Sequence, residues 1–404
     1  MKTLVVIGAG LAGATAAITL RDGDAGNRVV LIGAEPDPPY ERPPLSKGYL
    51  RGDTPFEKAL VRPAAFYEEH GIEMILGVQA IRIDSSGKFV ELEDHRRIPY
   101  DALLITTGCR NRPVTLPGGD LAGVHSLRTV QDADRIRKEA VAGRTAVVVG
   151  MGFIGAEVAA SLRHKGVKVV AIDPGETPLF RVLGAEIGRT IAELHHAHGV
   201  RTVFGDAVDV FEGATHITGV TTKRGLPIGC DFAVVGIGVV PNTDLAATAG
   251  VRIDNGVVVD EYCQTSVASI FAAGDVANHF HPVFQRQIRV EHWQNAIKQA
   301  SIAARNMLGE HLPYDDVPWF WSDQYDVNIQ YAGFHSTWTQ LVVRGNLESR
   351  DFLAFYLTNN VVDAVVGCNR PRDVRRLLPS IKTRRTVDPE NLRNEDSDLA
   401  SLFG

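Results

Sequence analysis

The sequence predicts an α/β protein with two Rossmann-like dinucleotide-binding domains and a small α+β domain at its C-terminal end. Three observations support this fold class. Residues 8–13, GAGLAG, have the Gly-x-Gly-x-x-Gly spacing of a dinucleotide-binding turn, and residues 150–155, GMGFIG, repeat that spacing. Each turn lies between a short apolar run and a segment of helical composition. After Tyr325 the pattern changes to short alternating strands.

The first turn completes a βαβ unit near the N-terminus. Residues 3–7 form a short apolar run that predicts a buried parallel strand. Residues 11–20 have the Ala, Leu and Ile content of a helix packed on a sheet. Residues 28–32 predict a second strand, and Glu35 lies just beyond its end.

The second turn has the same surroundings. Residues 144–149 predict a strand, residues 153–164 a helix and residues 167–172 the next strand. Asp173 follows that strand, about twenty residues beyond the glycines, where the dinucleotide fingerprint places its acidic residue. Two complete units are hard to obtain by chance, so we expect two bound dinucleotides.

The three glycines of each turn have separate roles. The first permits a tight turn, the second lets a pyrophosphate approach the backbone, and the third lets helix and strand pack closely. In this order they are Gly8, Gly10 and Gly13 in the first turn and Gly150, Gly152 and Gly155 in the second. The helix N-terminus then presents unpaired N–H groups and a positive dipole end to the phosphates.

The acidic residues after the two turns indicate ribose recognition. Glu35 and Asp173 would each accept hydrogen bonds from ribose hydroxyls. Asp173 favours NADH over NADPH, because a carboxylate repels a 2′-phosphate and no arginine follows before Arg181. One dinucleotide held permanently and one visiting is the expected arrangement, with flavin and nicotinamide as the obvious couple because hydride passes between them.

The C-terminal region predicts an antiparallel sheet and carries no cofactor motif. Residues 339–344, 352–357 and 361–368 are short strands separated by turn signals. An alanine-rich helix at residues 294–308 precedes them. The polar, acidic residues 391–398 are expected to be disordered.

Composition limits the other function classes. The net charge of −6 provides no global field for nucleic acid or an anionic membrane, and no apolar segment has the length of a membrane span. Four scattered cysteines form no C-x-x-C pair, so we expect no zinc site or local redox disulfide and a reducing cytoplasm. His195, His196 and His198 lack metal-site spacing and are expected at a surface helix end.

Motifs along the whole chain resemble one family of flavoproteins. They are GAGLAG, ERPPLSK, YDALLITTG, GMGFIGAE, GIGVVPN, SIFAAGD, EHWQNA and PWFWSDQY. Together they are similar to the NADH-dependent ferredoxin reductases that serve Rieske oxygenases and cytochromes P450, within the two-dinucleotide reductases of the glutathione-reductase type. The resemblance implies a discontinuous FAD domain at residues 1–109 and 243–322, an NAD domain at 110–242 and a C-terminal α+β domain at 323–404.

The same resemblance assigns the remaining site residues. It implies that the first turn holds FAD tightly and the second takes NADH. The residues placed at FAD are Arg42, Lys47, Thr107, Gly108, Asp275 and Trp293. It places Lys47 near flavin N5, Trp321 over the ring and Glu157 near the nicotinamide carboxamide. These last three residues also have structural alternatives. Lys47 could be a solvated lysine, Trp321 could be part of aromatic core packing, and Glu157 could be a solvated helix carboxylate.

The segment ERPPLSKGYL stands where many relatives carry a redox-active cysteine. Without a thiol, electrons must leave singly or go to oxygen. The resemblance implies a [2Fe–2S] ferredoxin as acceptor, and seven basic residues between 370 and 385 would steer it, although a solvated helix face explains them equally. Two other functions are alternatives to a ferredoxin reductase. One is an NADH oxidase or apoptosis-inducing-factor-like flavoprotein, and the other is a non-enzymatic NADH/FAD redox sensor.

Overall fold

In a computed structural model, which describes residues 1–399 and 401–403, the chain divides into two compact units. The first unit comprises Met1–Glu41, Glu57–Arg110 and Val240–Phe320. The second comprises Arg42–Phe56, Asn111–Val239 and the residues from Trp321 onward. This two-way division does not address the predicted separation into FAD, NAD and C-terminal domains, which stays a prediction.

The first unit is built on a parallel five-stranded sheet. The strand order places the N-terminal strand at the centre: Ile270–Ala272, Ala102–Ile105, Thr3–Ile7, Arg28–Gly33, Ile72–Leu76. These strands are apolar almost throughout because both faces of the sheet are covered. The helices Leu11–Gly23 and Trp293–Met307 contribute alanines to the core on one face, where small side chains allow close packing.

Smaller elements complete the first unit. Two three-stranded sheets accompany the main one; their strands are Ala80–Asp84, Phe89–Leu92 and Arg97–Pro99, and Val257–Val259, Ala277–His281 and Arg286–Arg289. The short helices are Phe56–Lys58, which begins at the unit boundary, Ala64–Glu69, Asp244–Thr248 and Gly274–Val276. Cys109–Asn111 and Val239–Pro241 pair as a two-stranded ribbon.

The second unit contains a second parallel five-stranded sheet. Its order is Arg201–Phe204, Lys168–Asp173, Thr145–Val149, Phe232–Val235, Val124–His125. The helices Phe153–His164, Val130–Glu139 and Phe180–Ala197 belong to this part, which also carries a three-stranded sheet of Val208–Gly213, Ile217–Thr222 and Pro227–Gly229. Pro43–Ser46 and Gly48–Arg51 are short helices. The predicted helix 153–164 is confirmed at both ends.

The C-terminal part of the chain is a five-stranded sheet with two helices, and its first strand begins at the last two residues of the first unit. The strand order is Trp319–Gln324, Val327–Gly333, Val361–Cys368, Asp351–Thr358, Gln340–Asn346, with antiparallel pairing between the last four. The helices Pro371–Thr383 and Pro389–Arg393 and the turn Ser401–Phe403 follow. The three strands predicted from alternation are confirmed.

The expectation of a disordered segment at residues 391–398 is wrong. Arg344, which is 6% exposed, donates hydrogen bonds to the backbone carbonyls of Asn394, Glu395 and Ser397 at 2.8, 2.9 and 2.7 Å. A buried guanidinium requires such partners, and the tail supplies them. No helix in the described part of the chain is both long enough and apolar enough to cross a bilayer.

Candidate functional site

The first glycine turn has the geometry of a phosphate cradle. Gly8 has a φ of +113°, and a Cβ added there would lie 2.2 Å from the carbonyl oxygen of Thr106. A Cβ on Gly13 would lie 1.8 Å from the carbonyl oxygen of Gly8. At Gly10, by contrast, a Cβ would meet no heavy atom of the described residues within 4 Å. The two outer glycines are required by the fold, whereas the middle one leaves the turn open to a ligand.

The second turn repeats this geometry. Gly150 has a φ of +89°, and its Cβ would lie 2.3 Å from the carbonyl oxygen of Gly236. A Cβ on Gly155 would lie 1.9 Å from the carbonyl oxygen of Gly150. Gly152 again faces open space, with no heavy atom of the described chain within 4 Å of its Cβ position. The residues of both turns therefore fit the pyrophosphate of a dinucleotide.

Both turns lead into long helices whose first residues lack side-chain caps. Gly10 and Gly152 are the N-cap residues of Leu11–Gly23 and Phe153–His164, and neither end has a side-chain capping bond within the described structure. The first-turn N–H groups and the positive end of the helix dipole are thus left for an anion.

Thr106 supports the first turn, a role that the sequence analysis missed. Its hydroxyl lies 3.0 Å from the carbonyl oxygens of both Ile7 and Gly8, and its backbone N–H donates to Ile7 at 2.8 Å. Thr106 directly follows the strand Ala102–Ile105, which lies beside Thr3–Ile7. A threonine at the end of a strand adjacent to the glycine turn is the signal that could have identified it.

The two acidic residues lie at the ends of the strands that follow the turns. Asp173 accepts from the backbone N–H of Met151 at 2.6 Å through one oxygen and from Gly175 at 2.7 Å through the other. Glu35 accepts a hydrogen bond from the hydroxyl of Tyr40. A carboxylate oxygen has two lone pairs, so Asp173 retains capacity for ribose hydroxyls.

Asp275, Thr107 and Gly108 all lie in the first unit. Asp275 is in the short helix Gly274–Val276, just beyond the strand Ile270–Ala272. The hydroxyl of Thr107 donates to the carbonyl of Asn242 at 2.8 Å, and the Asn242 amide donates back to the Thr107 carbonyl at 2.8 Å. Thr107 therefore fixes the backbone here, while its role at FAD stays a prediction, as do those of Asp275 and Gly108.

Lys47 and Glu157 form an ion pair inside the second unit. The Lys47 Nζ lies 2.8 Å from Glu157 Oε1, and the two side chains are only 16% and 4% exposed. Ser322 Oγ donates to the same oxygen at 2.7 Å, and Ser46 Oγ donates to Oε2 at 2.5 Å. The alternatives of a solvated lysine and a solvated helix carboxylate are wrong, because Glu157 is buried, most of the Lys47 side chain is covered, and the two groups are paired.

The structure gives the surroundings of Trp321, Trp293 and Arg42, whose contacts with FAD stay predictions. Trp321 is half-buried and donates from its indole Nε1 to Asp323 Oδ2 at 3.0 Å. Trp293 is the first residue of the helix Trp293–Met307. Burial raises the pKa of Glu41, and a hydrogen bond with Trp293 opposes that rise. The Arg42 guanidinium donates to the carbonyl of Arg128.

His195 does not lie at a surface, contrary to the sequence-based expectation. The residue is 0% exposed, with Nε2 at 3.0 Å from Gln324 Oε1 and Nδ1 at 3.1 Å from the Tyr325 hydroxyl. Burial lowers the pKa of His195 to about 4, so the imidazole is neutral near pH 7. His196 and His198 are exposed as expected. No metal-binding cluster of His, Cys, Asp or Glu is found among the described residues.

The four cysteines are buried free thiols. Burial raises the pKa of Cys230 and of Cys368 to about 12, and that of Cys263 is also raised by burial. A thiol with a raised pKa is a poor nucleophile. Dithiol exchange is therefore not supported by these side chains.

The basic run after residue 370 contains two partly buried arginines and five exposed basic residues. Arg370 pairs with Asp351 and Arg384 with Asp363. The other five basic residues are exposed: Arg372, Arg375, Arg376, Lys382 and Arg385. Four of them lie on the helix Pro371–Thr383, which presents a concentrated positive charge.

Comparison with known proteins agrees with this geometry. Residues 2–300 match the family model described as pyridine nucleotide-disulphide oxidoreductase, and residues 319–403 match one described as reductase C-terminal. Rhodocoxin reductase of Rhodococcus erythropolis is 39% identical over 98% of this chain and 93% of its own length. The ferredoxin–NAD(+) reductase component of the anthranilate 1,2-dioxygenase system of Burkholderia cepacia is 40% identical over 99% and 98%. The reductase in a solved covalent putidaredoxin reductase–putidaredoxin complex superimposes with a TM-score of 0.95, at 34% identity over 99% of this chain and 98% of that one.

Proposed function

The chain belongs to the pyridine nucleotide-disulphide oxidoreductase family, and on that premise we propose that it is an FAD-containing NADH:ferredoxin reductase. Its electron acceptor is a [2Fe–2S] ferredoxin that supplies a cytochrome P450 or a Rieske oxygenase. The observation that carries the proposal is the pair of glycine turns, each with two glycines fixed by backbone contacts and a middle glycine facing open space.

The first turn holds FAD and the second binds NADH. At each turn the backbone N–H groups at the helix N-terminus bind the pyrophosphate, and the acidic residue after the next strand, Glu35 or Asp173, binds ribose hydroxyls. Asp173 selects NADH because its charge repels a 2′-phosphate. Bound FAD supplies the ability to accept a hydride and to release electrons one at a time, which a [2Fe–2S] acceptor requires.

Electrons leave without a sulfur relay. The four cysteines are buried free thiols, and Lys47 and Ser46 occupy the segment where disulfide-dependent relatives carry their redox cysteines. The Lys47–Glu157 pair keeps a cation and an anion in fixed positions for the reaction of the cofactor with NADH. Buried free thiols also suit a reducing compartment, so we place the enzyme in the cytoplasm.

The exposed basic face of the helix Pro371–Thr383 supports the ferredoxin assignment. Positive charge concentrated on one face of a net acidic protein attracts an acidic partner from a distance and accelerates its encounter. The relatives named above are a rhodocoxin reductase, a ferredoxin–NAD(+) reductase component and a putidaredoxin reductase, and the second of these agrees with a ferredoxin acceptor.

A steady-state assay tests the proposal. The purified protein is reconstituted with FAD, and NADH-dependent reduction of cytochrome c is measured with and without a small [2Fe–2S] ferredoxin. We expect the rate to depend on the ferredoxin and to saturate with it. Oxygen consumption that is unchanged by ferredoxin would instead indicate an NADH oxidase, and flavin reduction without turnover toward any one-electron acceptor would indicate a redox sensor.

A further inference from the structure

Behind the Lys47–Glu157 pair, the second unit contains a continuous chain of buried hydrogen bonds. Glu157 Oε1 lies 2.7 Å from Ser322 Oγ, and Ser322 Oγ lies 3.2 Å from Gln324 Nε2. Gln324 Oε1 lies 3.0 Å from His195 Nε2, and His195 Nδ1 lies 3.1 Å from the Tyr325 hydroxyl. Glu157 is 3% exposed, and Ser322, Gln324 and His195 are 0% exposed.

Every bond in this chain has a direction, and all of them point toward Glu157. Burial keeps His195 neutral near pH 7, so one ring nitrogen donates and the other accepts. The amide oxygen of Gln324 can only accept, and therefore His195 Nε2 carries the hydrogen and Nδ1 accepts from Tyr325. The Gln324 amide then donates to Ser322, and the Ser322 hydroxyl donates to the carboxylate.

Such a chain stabilises negative charge at its acceptor end. Hydrogen bonds aligned in one direction polarise one another, and a buried carboxylate is stable only when donors satisfy it. The chain is unsuited to carrying protons, because the neutral amide of Gln324 interrupts any sequence of exchangeable hydroxyls and imidazoles. Its function is therefore electrostatic and positional.

Strand alternation explains why the chain forms. In the strand Trp319–Gln324, successive side chains point to opposite faces, so Ser322 and Gln324 share one face while Trp321 and Asp323 share the other. The first pair is buried, whereas Asp323 is exposed and accepts the bond from the Trp321 indole. One strand thereby presents two polar side chains to Glu157 and His195.

We propose that Ser322, Gln324 and His195 are positioning residues that hold the Glu157 carboxylate aimed at Lys47, and so set the rate at which NADH reduces the enzyme. This rests on the proposed function. Lys47 and Ser46 reach the Glu157 carboxylate from one segment, the strand Trp319–Gln324 contributes Ser322, and His195 with Tyr325 ends the chain.

The test measures the first step alone. The rate of flavin reduction is measured by stopped flow over a range of NADH concentrations, without ferredoxin, which separates the limiting rate from the NADH concentration at half-maximal rate. The variants are Ser322→Ala, Gln324→Met and the double variant. Gln330→Met is the matched control, because Gln330 is 4% exposed on the neighbouring strand and donates to Asn328 at 3.0 Å. Bound FAD and the thermal midpoint are recorded for each protein.

Without the Ser322 donor the carboxylate is no longer held toward Lys47, so we expect the limiting rate of Ser322→Ala to fall about tenfold while the NADH concentration at half-maximal rate hardly changes. Gln324→Met lowers the limiting rate by less, and adds nothing in the Ser322→Ala background because Gln324 acts through Ser322. Gln330→Met leaves the limiting rate unchanged.

A wild-type limiting rate in FAD-loaded Ser322→Ala would overturn the proposal, and so would fully additive effects of the two substitutions. If Ser322→Ala does not retain FAD, Gln324→Met alone decides by whether its limiting rate falls. A wild-type protein that binds FAD but is not reduced by NADH would refute the proposed function itself, which is a separate outcome.

Discussion

Gly152→Ala separates ligand binding from folding at the second turn. Gly152 has a φ of −70° and ψ of −175°, which alanine adopts freely, and the added methyl would meet no heavy atom of the described residues within 4 Å. At an N-cap, alanine is less favourable than glycine by about 1 kcal/mol or less. Alanine also reduces the entropy of the unfolded chain by about 0.4–1 kcal/mol in free energy. The two effects offset, so the stability of the folded protein should hardly change.

The methyl group instead occupies the space in which the NADH pyrophosphate approaches the backbone. Losing one hydrogen bond to a charged phosphate corresponds to about 1.5–3 kcal/mol, or roughly a 10- to 150-fold rise in the dissociation constant. The assay is NADH binding to the FAD-loaded enzyme at equilibrium, using NAD+ if turnover interferes, together with a urea unfolding curve. FAD content should equal that of the wild type.

Gly155→Ala, three residues further along, provides the contrast. Its Cβ would lie 1.9 Å from the carbonyl oxygen of Gly150, so the helix and the turn must move apart. We expect this variant to lose both stability and NADH binding. If Gly152→Ala bound NADH as tightly as the wild type, or lost stability as Gly155→Ala does, the assignment of this turn to the pyrophosphate would be refuted.

Three further predictions concern the ribose, the acid response and the partner. Asp173→Asn should raise the ratio of kcat/KM for NADPH to that for NADH about tenfold, and an unchanged ratio would remove Asp173 from cofactor selection. Burial lowers the pKa of His279 to about 3, and neither ring nitrogen has a hydrogen-bond partner among the described residues. Between about pH 3 and 6.5 the unfolded chain therefore binds more protons at His279 than the folded protein does. The contribution of His279 to the unfolding free energy is complete above that pH range and is lost as the pH falls through it. His279→Phe should make the unfolding free energy less dependent on pH between about 5 and 7, and an unaltered slope would contradict this. Arg375→Glu with Arg376→Glu should raise the KM for ferredoxin about tenfold at low salt and less at high salt; an equal KM in both proteins would support a merely solvated helix face.

Local sequence patterns predicted the elements that depend on local chemistry. The glycine spacing, the apolar strands before each turn and the acid after the next strand identified both cradles. The predicted helix 153–164 has the same ends in the structure, where Gly152 is its N-cap residue and Lys165 its C-cap residue. Backbone constraints of this kind act over a few residues, so the residues that impose them lie close in the sequence to the elements they determine.

Contacts between distant segments could not be predicted in the same way. His195 looked like a surface residue because it stands in a polar run, yet the strand Trp319–Gln324 brings Gln324 against it and buries it. The acidic tail looked disordered because its own composition cannot form a core, but Arg344 supplies the bonds that fix it. In both cases the deciding partner lies more than 45 residues away in the sequence, as their separations of 129 and 50–53 residues show.

The most direct test of the account is an anaerobic titration of the FAD-loaded protein. NADH is added until the flavin absorbance stops changing, and oxidised [2Fe–2S] ferredoxin is then added in small portions while both chromophores are monitored. We predict that one equivalent of NADH bleaches the flavin and that two equivalents of ferredoxin restore it, because each cluster accepts a single electron. A flavin that remains oxidised with NADH, or one that NADH reduces but ferredoxin cannot reoxidise, would contradict the account.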